Sequence, residues 1–149
     1  MTERGEYNIG QLVKEKYGNE AFLLGFSTYE GTVTAASNWG EIAKRKRVRP
    51  ALPDSYEFMF HQLPYSNFLL FLSKEGKLHK FLSDEPRLQR AIGVIYRPET
   101  ERVSHYFYTH LAHQFDAIIH IDHTTAVIPL DQVSEWECGE LPETYPSGV

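Results

Sequence analysis

Cysteine is nearly absent from the sequence, since Cys138 is the only one among 149 residues. A single cysteine can form neither an internal disulfide nor a cysteine-based zinc cluster within one chain, which fits a reducing compartment. Long apolar runs are missing as well: the longest, residues 68–72, is far shorter than the roughly 20 residues that a membrane helix needs. Met1 is followed by polar residues instead of a signal-peptide core. We therefore predict a cytoplasmic protein that does not contact a membrane.

Several signatures of catalysis and nucleotide binding are also absent. The stretch GFSTYEG, residues 25–31, contains a serine but lacks the second glycine that the nucleophile elbow G-x-S-x-G requires. No G-x-x-x-x-G-K-[ST] loop, G-x-G-x-x-G turn or H-E-x-x-H motif occurs in the chain. These absences disfavour the enzyme classes built on those motifs, and we predict that the protein uses no cofactor.

Positive charge is scarce except in one short run. The net charge is −5, yet five of the 15 basic residues are Lys44, Arg45, Lys46, Arg47 and Arg49, which leaves 10 basic against 20 acidic residues elsewhere. In an extended conformation the three arginines would lie on one face, opposite Lys44, Lys46 and Val48. That face could clamp a carboxylate or phosphate, or it could be a solvated strand that pairs with acidic surface. Because the rest of the chain repels polyanions and no reader motif accompanies the run, we predict no nucleic-acid partner.

The seven histidines include two pairs spaced three residues apart, His110 with His113 and His120 with His123. Such spacing suits metal binding on a helix. The segment IIHIDH is more typical of a strand, in which residues three apart point to opposite faces. We therefore predict no metal site.

Apolar periodicity predicts the secondary structure. An amphipathic helix over residues 9–17 should end at Gly18, and a second helix over 54–63 should start at Asp54 or Ser55. Compact apolar or β-branched runs predict strands, and Pro129 limits the last of these runs to an edge strand or docking segment. The predicted strands are residues 21–26, 31–37, 67–72, 91–96, 115–121 and 125–130. The pattern favours one α/β domain with a mostly parallel sheet and flanking helices.

The stretch GVIYRPETERVSHYF, residues 93–107, places a cluster of charge directly after a predicted strand. The cluster consists of Arg97, Glu99, Glu101, Arg102 and His105. Side chains just past the end of a strand lie where open α/β sheets bind ligands, provided that the strand is parallel to its neighbours. The cluster could therefore supply a proton-transfer group with an ion-pair partner, or it could be a salt-bridged structural loop.

Five segments together resemble the C-terminal part of the erythromycin esterase family. They are RGEYNIGQLVKEKYG (4–18), GFSTYEGTVTAASNWG (25–40), RKRVRPALPDSYE (45–57), RAIGVIYRPETERVSHYF (90–107) and QFDAIIHID (114–122). The resemblance implies an α/β fold and ester hydrolysis, with the best-known members opening the lactone ring of macrolide antibiotics and so conferring resistance. Some members are joined to phosphoribosyltransferase domains.

The family's general-base histidine, its glutamate partner and its AHN-x-H-like segment lie upstream of the region matched by this chain. No stretch here resembles them, so the resemblance transfers no catalytic residue. The start MTERGEYNIGQL resembles the interior of a longer family member. We therefore expect an incomplete C-terminal portion of a larger domain, with the family-like region at residues 4–131 and a tail at 132–149.

The resemblance makes a C-terminal segment of an ester hydrolase the leading hypothesis, inactive alone and completed by an upstream half-protein or by self-association. A small-molecule ester would be the substrate of the complete protein. We predict Glu101 and His105 as its proton-handling catalytic residues and Arg97, Glu99 and Arg102 as its substrate-facing rim. The alternative is a non-catalytic interaction or anion-binding module whose arginine face docks on a separately encoded partner.

Overall fold

The computed structural model describes residues 7–72 and 75–130, which form a mixed α/β unit. The helices are α1 (Ile9–Tyr17), α2 (Tyr56–His61), α3 (Lys77–Asp84), α4 (Glu101–Ser104) and α5 (Leu111–Gln114). The strands are β1 (Leu24–Ala35), β2 (Lys44–Val48), β3 (Asn67–Phe71), β4 (Arg87–Arg90), β5 (Tyr106–Thr109) and β6 (Ala117–Thr124). Within this described part of the chain, no helix has both the length and the apolar character needed to cross a membrane. The predicted tail and Cys138 lie outside the described residues.

The two predicted helices are confirmed, and their ends have the expected chemistry. The Asn8 side chain accepts a hydrogen bond from the Gln11 backbone N–H and caps α1, which ends at Gly18 with a positive φ of 53°. In α2 the cap is Ser55, whose hydroxyl accepts from the Phe58 backbone N–H at 3.2 Å. Side-chain caps therefore fix where both helices begin.

The prediction of a mostly parallel sheet was wrong. The larger sheet has the strand order β2-β1-β6-β3, and only β1 and β6 are parallel neighbours in it; β1 with β2, β3 with β6, and the separate pair of β4 with β5 are antiparallel. The two predicted strands at 21–26 and 31–37 are one continuous strand, β1. Its first half pairs with β6 and its second half pairs with β2, and Gly31 lies where the two pairings meet.

Helices cover one face of the larger sheet. The buried core between the helices and this face contains residues from α2, α3, α5 and β6 and the residue directly after β3. They are Tyr56, Phe60, Leu72, Leu82, Leu111 and Ile118. The opposite face carries apolar side chains that are exposed: Phe22, Leu24, Phe26, Leu69 and Phe71. The apolar runs that predicted strands buried on both faces are therefore real strands, but in the described residues only one of their faces is covered. We call these five exposed apolar residues the open apolar face.

The predicted strand at residues 91–96 is absent. This segment crosses irregularly between the two sheets and makes only an isolated bridge between Ile95 and Ala36. Its apolar residues still pack, since Ile92 and Tyr96 contact a second cluster with Ala35 and Val48. The neighbouring strand is instead β4, whose residues Gln89 and Arg90 are buried despite their polarity. Because these buried residues are polar, no apolar run marks β4 in the sequence.

Residues 125–130 dock on β1 without forming a strand. The Ala126 N–H donates to the Thr32 hydroxyl at 2.9 Å, and the Thr34 hydroxyl donates to the Val127 carbonyl at 2.6 Å. Of the two alternatives for this segment, the docking segment is the one that forms.

Candidate functional site

Polar side chains gather along the parallel pairing of β1 and β6, from its middle towards its carboxyl end, on the face that the helices cover. Ser27 of β1 lies opposite His120 of β6 in the register, and Asp122 follows His120 on the same face because strand side chains alternate. His61, the last residue of α2, reaches this row from the helical layer.

Asp122 holds the imidazole of His61. The distances from the His61 Nδ1 atom to the Oδ1 and Oδ2 atoms of Asp122 are 2.8 and 2.9 Å. Since a carboxylate only accepts hydrogen bonds, Nδ1 carries a proton, and in the neutral imidazole the lone pair then lies on Nε2. No residue of the described chain bonds to that Nε2, and 32% of the His61 side chain is exposed against 8% for Asp122. The pair presents an oriented base at the surface.

Tyr29 fixes the plane of the same imidazole. Its ring lies parallel to the His61 ring, with an angle of 4° between the planes and 3.6 Å between the centroids. Two independent contacts, one hydrogen-bonded and one stacked, therefore restrain the His61 side chain. Such restraint lowers the entropic cost of presenting a reactive group.

His120 is fully buried between the strands and α2. Its Nδ1 atom is 2.9 Å from the Ser27 hydroxyl, and its Nε2 atom is 3.4 Å from Asp122 Oδ1. Burial lowers the pKa of His120, against the opposing effect of its hydrogen bond to Asp122, so the neutral imidazole is favoured. The order serine, histidine, aspartate matches a catalytic triad in composition. However, the central imidazole has no exposed surface that could meet a substrate.

His123 lies at the exposed rim of this site. It sits on the opposite face of β6 from His120, as the strand periodicity predicts, and its side chain is well exposed. Its Nδ1 atom is 3.1 Å from Glu30 Oε1, and its Nε2 atom is 3.5 Å from Asp122 Oδ2. Asp122 therefore has three imidazoles around it, of which His61 is the closest.

A buried arginine anchors the strand that carries Tyr29. The Arg90 guanidinium donates to the carbonyl oxygens of Thr28 and Tyr29 at 2.5 and 2.7 Å, and to the Arg49 carbonyl at 2.8 Å. Its Nη1 atom also lies 2.9 Å from Glu101 Oε1. Arg90 thus ties the end of the parallel pairing to the neighbouring loop and positions the ring that stacks on His61.

A second carboxyl group is buried beside Arg90. Glu57 of α2 accepts a hydrogen bond from the Arg90 backbone N–H at 3.1 Å through Oε1, whereas its Oε2 atom is buried without a hydrogen-bond partner in the described residues. Burial is the main cause that raises the pKa of Glu57 above its ordinary value of 4.5, against smaller opposing contributions from backbone hydrogen bonds and Arg90. The fold therefore favours the protonated form of Glu57 more than an exposed position would.

The structure separates the charge cluster of residues 97–105 into a buried part and an exposed part. Glu101 is buried, pairs with Arg90 and accepts a hydrogen bond from the Tyr96 hydroxyl at 2.8 Å. The ring of His105 accepts from the Arg97 backbone N–H at 3.0 Å through Nε2 and donates to the Ala91 carbonyl at 3.1 Å through Nδ1. Both residues are hydrogen-bonded within the protein, and their catalytic role stays a prediction.

The other three members of this cluster are exposed. The Arg97 guanidinium donates to the Ser37 carbonyl at 2.7 Å and to the Asn38 side-chain oxygen. Glu99 follows Pro98 in a short 3-10 turn, and Arg102 is in α4. Their predicted role as a substrate-facing rim stays a prediction.

The basic run forms strand β2, and its side chains alternate as predicted. Lys46 and Val48 point inward and are buried, whereas Arg45 and Arg47 are exposed. The Lys46 ammonium donates to the Tyr96 carbonyl at 2.9 Å and to the Ser37 hydroxyl at 2.7 Å. One lysine of the run is therefore part of the fold's interior, and the exposed arginines form an edge of the sheet.

The other histidine pair lies elsewhere, at α5. The ring centroids of His110 and His113 are 5.5 Å apart, and His79 of α3 lies 6.0 Å from His113. Across residues 7–72 and 75–130, no group of three or more histidine, cysteine, aspartate or glutamate side chains is arranged to hold a metal ion.

Sequence reasoning did not identify the residues of this site. His61 and Asp122 lie 61 positions apart in the chain, and Ser27 lies 93 positions from His120, so no local motif joins them. One signal was present: His120 and Asp122 are two residues apart in a strand, on the inward face that also carries Ile118. Polar residues on the buried face of a strand indicate a paired network.

Comparisons with known proteins identify one family and two solved structures to which this chain is similar. The profile of the family described as erythromycin esterase matches residues 1–124. The crystal structure of a succinoglycan biosynthesis protein is similar with a TM-score of 0.66 and 28% identity, over 80% of this chain and 28% of that chain. A Bacillus cereus protein is similar in fold, with a TM-score of 0.63 and 24% identity, over 78% and 28% of the two chains.

The chain therefore spans 28% of the length of each of these two solved structures. The family profile, in contrast, extends over most of the described residues, including β1, α2 and β6, which carry the polar site. This protein belongs to the erythromycin esterase family.

Proposed function

We propose that this chain is the C-terminal segment of a carboxylic ester hydrolase, in which His61 transfers a proton and Asp122 orients it. The observation that carries the proposal is the His61–Asp122 pair, whose Nε2 is free of partners in the described residues and partly exposed. An imidazole held in this way can take a proton from water or a hydroxyl group and return it to the leaving alcohol. Family membership supports an ester or a macrolide lactone as the substrate class.

We propose that this chain is active only together with a second polypeptide segment. The chain spans 28% of the length of each structural neighbour. The family resemblance implies a further histidine and glutamate upstream of the matched region. Hydrolysis therefore requires this chain together with the upstream part of a family protein, and the chain alone is inactive. The exposed arginines Arg97 and Arg102, with Glu99, are proposed to line the substrate rim of that complete protein.

Reconstitution tests this function. The chain and the upstream part of a full-length family protein would be co-expressed as separate polypeptides, purified together and assayed with p-nitrophenyl esters and a macrolactone. We expect hydrolysis by the complex and none by either polypeptide alone. A well-formed complex that hydrolyses no ester would contradict the proposal. In an active complex, Arg97→Ala should lower kcat/KM more than threefold; a smaller effect would assign the loop a structural role.

The second candidate is an interaction module without catalysis, and the open apolar face favours it. Phe22 and Phe71 make an edge-to-face contact there, and Leu24, Phe26 and Leu69 extend the exposed patch across β1 and β3. Apolar patches of this kind mark protein interfaces. The proposed occupant is the same upstream polypeptide, while the exposed face of β2 with Arg45 and Arg47 would dock on acidic surface. A complex that forms through the apolar face is salt-resistant, whereas one that forms through β2 dissociates at high salt.

A further inference from the structure

The half-buried Ser27 and the fully buried His120 form a hydrogen-bonded row that ends on Asp122, the residue that holds His61. We infer that both are positioning residues, which orient the Asp122 carboxylate and thereby keep the proton of His61 on Nδ1 and its Nε2 available. The role of these residues in a reaction rests on the proposed function. Their effect on which nitrogen of His61 carries the proton does not.

The chemistry of the donors gives the row a direction. The Nε2 atom of His120 faces a carboxylate, which can only accept, so Nε2 must carry the single proton of the neutral ring. The Nδ1 atom of His120 is then an acceptor, and the Ser27 hydroxyl at 2.9 Å donates to it. Ser27 donates to His120, His120 donates to Asp122, and Asp122 accepts from His61 as well.

The packing of the His120 ring makes this row rigid. The ring is fully buried, with its centroid 5.4 Å from that of Phe60 and 5.1 Å from that of Phe68. Phe60 is the neighbour of His61 in α2, so the same contact sets the distance between the helix and the strand. The imidazole therefore meets the Asp122 carboxylate from a fixed position.

The remaining contacts of Asp122 do not replace this one. Its backbone N–H donates to the Ser66 carbonyl at 2.8 Å, which fixes the main chain but leaves the side chain free to rotate. His123 approaches Oδ2 from the exposed rim at 3.5 Å and is shared with Glu30. His120 is the fully buried donor to the carboxylate, so its loss should change how Asp122 orients His61 more than the loss of His123.

Histidine tautomers in the purified chain test the inference without any assay of activity, through long-range ¹H–¹⁵N NMR spectra of His61. His120→Phe removes the donor but keeps an aromatic ring between Phe60 and Phe68, His120→Gln keeps a donor for Asp122, and Ser27→Ala removes the hydroxyl alone. Thr34→Val is the matched control, since it also removes a β1 hydroxyl hydrogen bond, in this case to the Val127 carbonyl and away from Asp122.

We expect the native chain and Thr34→Val to show His61 with its proton on Nδ1. His120→Phe should convert this to a mixture of tautomers, His120→Gln should restore the native pattern, and Ser27→Ala should give a smaller change than His120→Phe. A folded His120→Phe chain with the native His61 pattern would overturn the inference. If His120→Phe does not fold, Ser27→Ala decides: a native pattern of both His61 and His120 resonances overturns it.

Activity separates this inference from the proposed function. If the tautomer of His61 follows the row but the reconstituted complex hydrolyses no ester, the positioning inference stands and the hydrolase proposal fails. If hydrolysis depends on His61 but its tautomer is the same in every folded variant, the hydrolase proposal stands and the positioning role of Ser27 and His120 is rejected.

Discussion

Arg90 and Glu101 form an ion pair inside the protein, with 2.9 Å between Nη1 and Oε1 and almost no exposed surface on the arginine side chain. Glu101 also accepts a hydrogen bond from the Tyr96 hydroxyl. Burial raises the pKa of this hydroxyl above its ordinary value of 10.0. The same guanidinium holds the carbonyls of Thr28 and Tyr29, so the pair joins the second sheet to the strand that leads into the polar site.

Loss of this ion pair should destabilise the fold. We expect Glu101→Ala to lower the free energy of unfolding by about 3–5 kcal/mol, because it leaves the Arg90 charge buried without its partner. Urea denaturation of the purified chain measures this. Glu99→Ala, an exposed change two residues away, is the control and should stay within about 0.5 kcal/mol of the native value. If Glu101→Ala were as stable as the control, the pair would not hold the fold together.

Glu57 should make stability depend on pH. Its folded pKa lies above the ordinary 4.5, chiefly because of burial, so the folded chain keeps a proton that the unfolded chain has released. Its contribution to stability is therefore present below about pH 4.5 and declines as the pH rises towards the folded pKa. Glu57→Gln retains an acceptor for the Arg90 backbone N–H but does not titrate. We expect its advantage in urea denaturation over the native chain to be larger at about pH 8 than at about pH 5.

The matched change Glu99→Gln removes an exposed carboxyl group instead. It should leave the pH dependence of stability as in the native chain. A constant difference between Glu57→Gln and the native chain from acid to neutral pH would show that Glu57 titrates normally in the fold.

Gly31 is required where β1 changes its partner. Its φ is 131°, and a Cβ atom at this position would lie 2.2 Å from the Thr124 carbonyl oxygen of β6. We expect Gly31→Ala to lower the free energy of unfolding by about 2–4 kcal/mol. The backbone conformation of Gly31 is strained for any other residue, and the backbone of Thr124 leaves no room for a Cβ atom. Gly93→Ala is the control, since a Cβ atom there meets nothing within 4 Å. Equal thermal denaturation midpoints for the two variants would contradict this account of the β1–β6 contact.

The open apolar face should make the isolated chain self-associate. We expect concentration-dependent oligomers in size-exclusion chromatography with light scattering, because Phe26 and Phe71 are both more than half exposed on one face of the sheet. Phe26→Lys or Phe71→Lys should shift the chain towards the monomer. Val103→Lys replaces an even more exposed apolar residue away from this face and should change nothing. A compact native monomer at all concentrations would contradict the expectation.

Local chemistry explains which parts of the fold were predictable. The apolar spacing and caps of α1 and α2, the apolar runs of β3 and β6, and the alternation of Lys46 and Val48 in β2 are all properties of neighbouring residues. Strand direction was not predictable in this way. A run such as that of β3 is equally apolar whether helices or another polypeptide cover its second face.

The polar site depends on distant pairings instead. His61 meets Asp122 because the parallel pairing of β1 with β6 and the packing of Phe60 against His120 bring α2 over the paired part of the two strands. The buried Arg90 was hidden for the same reason: its charge is tolerated because Glu101 and three carbonyl groups from other elements surround it. The sequence of β4 alone indicates a solvated segment.

The central claim is that His61 transfers a proton in ester hydrolysis, and kcat/KM of His61→Gln in the reconstituted complex tests it most directly. His113→Gln is the matched control, an exposed histidine of α5 outside the site. The account predicts that His61→Gln lowers kcat/KM by roughly 10²–10⁴-fold while the complex still forms, and that His113→Gln stays within about threefold of native. Equal activity of the two variants in intact complexes would contradict it.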